Sequence, residues 1–72
     1  MKLTDQEHEV MTNQWGNSVP ANLEKIQTEQ LLDMLVQVAR AVGASIQDGD
    51  VDAMEVLEPL EQKLLEVMKN RI

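Results

Sequence analysis

Seventy-two residues and 8.1 kDa, 43% apolar with a single aromatic, describe one small domain with no room for a second core or a large catalytic cleft. A core of Leu, Val, Ile, Met and Ala favours helices over sheet. Thirteen acidic against six basic residues give a net charge of −7 and an isoelectric point near 4.4, so direct nucleic-acid binding and membrane attachment are not expected. With no cysteine and one histidine, the chain has neither a disulfide nor the usual zinc ligands, and a partner chain is the simplest remaining stabiliser.

The start Met1-Lys2-Leu3-Thr4-Asp5 lacks the basic and apolar regions of a secretory signal, which predicts a cytoplasmic protein. A first helix is predicted over residues 5–15. The Thr4 hydroxyl and the Glu7 carboxylate are spaced for a reciprocal capping box, and Gly16 supplies a left-handed stop. Its apolar members are only Val10, Met11 and Trp15, a face too thin to hold a helix alone, so it must dock or fray. His8, among Glu7, Glu9 and Thr12, reads as a solvated surface residue. Trp15, beside a helix end and a loop, is either a lid over a small core or an anchor for a partner.

Turn formers cluster at Gly16-Asn17-Ser18-Val19-Pro20 and again at Gln47-Asp48-Gly49-Asp50. Between them lies the second helix, placed at residues 21–47, with starts open to it just after Pro20 or as late as Thr28. Over residues 31–46 the apolar pattern follows about 100° per residue. Leu31, Leu35, Val38 and Val42 fall on one line, while Leu32, Val36, Ala39, Gly43 and Ile46 form a second line roughly 100° round. More than half of the circumference is apolar, which one packing neighbour cannot cover. Ala39 and Gly43, four residues apart, either let another backbone approach closely or merely weaken the helix near its end.

Gly49 then stops the second helix and Asp50 caps a third, predicted over residues 51–70, and so short a connection implies an antiparallel helical hairpin. Asp52 and Glu55 near its start and Lys69 and Arg71 near its end match the helix macrodipole. Leu57, Leu60, Leu64, Val67 and Met68 make its apolar face. Pro59 falls on the opposite side, where it bends the helix or starts a new one.

Little in the chain promises chemistry. Asp48-Gly49-Asp50-Val51-Asp52 carries alternate aspartates like a calcium loop, but Ala53 stands where that loop needs Gly and Pro59 where it needs a bidentate Glu. No nucleophile motif, phosphate loop or His pair is present, and no aromatic-lined pocket is available to raise a carboxyl pKa. No catalytic, cofactor-binding or metal residue is assigned, and the chain is not expected to be an enzyme. Residues 41–62 contain no base, and Asp48, Asp50, Asp52, Glu55 and Glu58 there form either a solvated face or an acidic docking patch.

The apolar helix from Leu31, the run Gly49-Asp50-Val51-Asp52-Ala53-Met54-Glu55-Val56-Leu57-Glu58 and the closing Lys63-Leu64-Leu65 resemble the helical hairpin of FliT-type flagellar and type III secretion export chaperones, over residues 31–68. The resemblance implies a hairpin that binds an apolar helix of a client protein in its groove. It carries over no residue roles.

The expected fold is therefore all-α: one domain over residues 1–72, with a short N-terminal helix and an antiparallel hairpin, completed as a four-helix bundle by a homodimer or by docking on another protein. The expected function is a non-enzymatic interaction module, a small adaptor, chaperone or regulator. Its interface would be Leu31, Leu32, Leu35, Val36, Ala39, Val42, Gly43 and Ile46. The alternative is an acidic inhibitor that mimics nucleic acid and blocks the basic site of a partner protein.

Overall fold

The computed structural model describes Met1–Ile72. The protein is all-α, with helices α1 (Asp5–Trp15), α2 (Thr28–Asp48) and α3 (Val51–Lys69), a 3₁₀ turn over Leu23–Lys25, and a single antiparallel bridge between Lys2 and Asn22. No helix is long and apolar enough to cross a membrane.

The start of α1 follows the local chemistry. The Thr4 hydroxyl accepts from the Glu7 amide at 3.2 Å, and the Glu7 carboxylate accepts from the Thr4 amide at 2.8 Å. The helix ends at Gly16, whose φ of 92° is open to glycine, but with ψ of 177° it lies outside the left-handed helical region expected of it. The true left-handed stop is Gly49 at φ 69°, ψ 25°, whose amide donates back to the carbonyls of Ser45 and Ile46. Asp50 then caps α3 by accepting from the Ala53 amide at 3.2 Å.

The second helix begins at Thr28, the later of the two starts open to it and not residue 21, and runs to Asp48. Leu3 donates to the Ala21 carbonyl at 2.8 Å and Leu23 to that of Met1 at 3.0 Å, so residues 21–23 are held against the N-terminus, with Asn22 extended. Asn22 caps the 3₁₀ turn through the Glu24 amide, and Ile26 and Gln27 are extended again. The physical reason is burial. This irregular path puts Val19, Leu23 and Ile26 into the core together with Leu3, which a helix from residue 21 docked only through its later turns would not do. The first 27 residues are thus part of the core and not an appendage.

Helix α3 is continuous through Pro59, which is exposed, and it ends at Lys69 with Asn70 as its cap, one residue short of the expected end. Beyond it the Arg71 guanidinium donates to the Thr28 hydroxyl at 3.1 Å and to the carbonyl of Glu24 at 3.0 Å. The end of α3 therefore sits at the beginning of α2, and the two helices run back along one another. Between them lie Leu31, Met34, Val38 and Val42 of α2 and Leu60, Leu64 and Val67 of α3, roofed by Met11 of α1. Met11 and Met34 are fully buried, as unbranched gap fillers in a core without aromatics.

One polar pair is part of this interior. The Glu7 carboxylate is almost fully buried and forms an ion pair with Lys63 of α3, pinning α1 to α3 across 56 positions of sequence. Burial pushes the Glu7 carboxyl up, but the Lys63 ammonium, the Thr4 amide and the Thr4 hydroxyl outweigh it and hold the carboxyl below its ordinary 4.5. His8 is also tied in. Its Nε2–H donates to the Val19 carbonyl at 2.9 Å, so this half-buried ring fastens the 16–27 segment to α1 and is not the solvated residue expected.

Two outcomes follow. Because the folded carboxyl of Glu7 titrates below the unfolded one, its stabilisation is present above about pH 4.5 and is lost as pH falls through the lower folded value. The stability gap between wild type and Glu7→Gln, read from urea midpoints, should be open at pH 7 and close in acid. Arg71→Ala should lower stability by about 1–2 kcal/mol at unchanged m-value, through loss of charged hydrogen bonds to the 3₁₀ turn.

Candidate interaction face

Helix α2 has two apolar stripes with different fates. Leu31, Met34, Val38 and Val42 lie in the core, Leu31 and Met34 without any exposed surface. Leu32, Val36 and Ile46 remain 53%, 41% and 58% exposed, and Ala39 and Gly43 between them are exposed as well. Nothing in the chain approaches Gly43 closely enough to meet an added Cβ. The result is a ridge of five apolar positions along a 21-residue helix, uncovered because α1, the 3₁₀ turn and α3 already surround the other stripe.

This placement divides the eight predicted interface residues. Leu31 and Val42 belong to the chain's own core and are not free to meet a partner, and Leu35 packs against that core while remaining partly exposed. The physical cause is the 100° between the stripes: the side of α2 that faces α3 cannot also face outward. Leu32, Val36, Ala39, Gly43 and Ile46 remain as surface.

The flanks of the ridge differ in charge. Asp33 and Arg40, seven residues apart on α2, are exposed along one side, and Arg40 makes no ion pair within the chain. Toward the α2–α3 connection the ridge meets a shallow depression lined by Val42, Ile46, Glu58, Pro59, Glu61 and Gln62, which holds two carboxylates and no cation. Asp48, Asp50, Asp52, Glu55 and Glu58 are all exposed. The chain's two ion pairs, Glu7 with Lys63 and the N-terminal ammonium with Glu24, involve none of them. Asp50 differs from the other four in having a structural task as the α3 cap.

Trp15 lies half-buried against the core, and its indole N–H donates to the Asp33 carboxylate at 3.3 Å. Beside it an open groove of about 510 Å³ runs between the helices, lined among others by Val10, Gln37, Arg40, Ala41 and Leu57. The groove contains no carboxylate or imidazole, so it presents no acid–base pair. No group of three His, Cys, Asp or Glu side chains is arranged to hold a metal ion. What the surface offers is apolar burial edged by charge. Sequence reading missed Glu7 as an interior ion-pair partner, because its spacing to Thr4 already explained it as a cap.

Comparisons with protein-family models, with curated proteins and with solved structures give no match to this chain.

The two stripes should respond differently to truncation. Leu31→Ala should cost about 2–4 kcal/mol by leaving a cavity in the core, whereas Leu32→Ala, measured on the dilute monomer, should stay within about 0.5 kcal/mol. Urea unfolding of the two variants distinguishes them.

Proposed function

We propose that this protein is a non-enzymatic helical interaction module, a small adaptor, chaperone or regulator, that buries the exposed ridge of α2 against an apolar helix of a partner. The observation that carries this reading is the continuous exposure of Leu32, Val36, Ala39, Gly43 and Ile46 on a helix whose other stripe is fully engaged. A monomeric surface rarely leaves such a ridge uncovered unless something docks on it. The small residues Ala39 and Gly43 allow a close helix–helix approach at its centre. The resemblance of residues 31–68 to FliT-type export chaperones agrees with helix capture. We place the protein in the cytoplasm, with no cofactor.

A second reading rests on a separate observation, the four exposed carboxylates Asp48, Asp52, Glu55 and Glu58 without ion pairs in the chain. They would dock in the basic site of a nucleic-acid-binding protein as a phosphate mimic.

Affinity capture on the immobilised protein separates the readings. Leu32→Glu should abolish apolar capture without unfolding the domain. Changing Asp48 and Asp52 to Asn and Glu55 and Glu58 to Gln should leave that capture intact while removing capture that depends on charge; Asp50 is spared because it caps α3. Partners held by the ridge should survive about 0.5 M salt, at which exposed charge contacts are screened within about 5 Å. Capture that Leu32→Glu leaves unchanged overturns the ridge reading.

A further inference from the structure

The exposed ridge has a geometry that selects its own occupant. Positions 32, 36, 39, 43 and 46 alternate in steps of four and three, the spacing that lets two helices mesh along a seam, while the step of three from Leu32 to Leu35 leads back into the core. We infer that the helix docked on α2 is α2 of a second copy, running antiparallel about a two-fold axis between Val36 and Ala39. This rests on the ridge being a helix-binding face, as proposed above, and adds the identity of the partner.

Three features favour that arrangement. In the antiparallel register centred between Val36 and Ala39, Leu32 faces Gly43 of the second copy and Val36 faces its Ala39, with the reciprocal pairs repeated across the axis. Leu32 and Val36 thus each meet a smaller residue, so the centre of the seam closes, while Ile46 lies opposite Glu29 of the second copy at either end. A parallel pairing would set Gly43 on Gly43 and Ala39 on Ala39 while crowding Leu32 on Leu32.

The second feature is charge. Asp33 and Arg40 follow Leu32 and Ala39 by one residue, so both edge the ridge on the same side, both exposed. Antiparallel helices set like edges against each other, and in this register Asp33 of one copy faces Arg40 of the other, twice. Sliding by one heptad in either direction sets Arg40 on Arg40 or Asp33 on Asp33. The charges therefore choose one register of the three. Arg40 has no ion-pair partner within its own chain, and Asp33 is already oriented by the Trp15 indole at 3.3 Å.

The third feature is the remainder of the surface. Asp48, at the end of α2, and Asp52 and Glu55, on α3, lie off the ridge, and Glu58 meets it only at Ile46, so most of the net −7 of each copy stays away from the seam.

Sedimentation equilibrium of the full chain near physiological ionic strength, from about 1 to about 500 µM, tests the inference. Circular dichroism on every variant verifies folding, and emission of Trp15 on Asp33 gives a second readout. The wild type should be a reversible dimer. Asp33→Arg and Arg40→Asp should each raise its dissociation constant by about tenfold or more. The double variant Asp33→Arg/Arg40→Asp should return to within about threefold of wild type, and an equimolar mixture of the two single variants should form heterodimers. A wild type that stays monomeric throughout overturns the second copy as occupant and leaves the ridge reading to the capture experiment. A dimer indifferent to the charge reversals overturns the register. A dimer of undiminished affinity in folded Leu32→Glu places self-association elsewhere and overturns the second copy as occupant of the ridge.

Discussion

The stripe Leu31, Met34, Val38 and Val42 on α2 is the surface on which the rest of the molecule is assembled. A chain of 72 residues with one half-buried aromatic and no disulfide has little apolar area with which to offset the entropy of ordering, so aliphatic side chains from every element are drawn to that stripe. Helix α3 contributes Leu60, Leu64 and Val67, and α1 contributes Met11. The remaining cover comes from Leu3, Val19, Leu23 and Ile26, four residues outside the three α-helices. That requirement explains why the chain gives up about the first two turns of a longer α2: an irregular path reaches the core at more points than another stretch of helix would.

Polar groups then hold these thin elements in place. The N-terminal ammonium reaches Glu24 and Asn22, and Arg71 at the other end reaches the carbonyl of Glu24, so both chain ends converge on the 3₁₀ turn at the start of α2. Glu7 does the same for the middle of the molecule through Lys63. Its carboxylate accepts from the Thr4 amide and from Lys63, so one buried group both starts α1 and attaches it to α3. A buried charge held in this way is costly to break on either side, because removing one partner strands the other.

The same packing decides what is left outside. Helix α2 has an apolar arc too wide for its neighbours, and what they leave uncovered is a ridge of alternating large and small residues edged by one acid and one base. In the proposed pairing, apolar area would supply attraction and the Asp33 and Arg40 edge would supply register. The exposed acidic residues Asp48, Asp52, Glu55 and Glu58 are a distinct feature of the molecule. The single tryptophan sits where these regions meet, on the core with its indole N–H on Asp33.

The amino-acid sequence by itself determined the all-α class, the span of α1, the turn at Gly49 and Asp50, and the presence of two apolar stripes on α2. Each depends on contacts within about four residues: a capping hydroxyl, a glycine with positive φ, a 3.6-residue period. Only the tertiary structure decided which stripe is interior. Periodicity measures the angle between Leu31 and Leu32 but not which of them α3 will meet, so Leu31, Leu35 and Val42 read as interface while lying in or against the core. It also decided that residues 21–27 are not part of α2, that His8 fastens a loop through the Val19 carbonyl, and that Glu7 pairs with a lysine 56 residues away. These are long-range matters, settled by competition for one buried surface, and no local pattern encodes them.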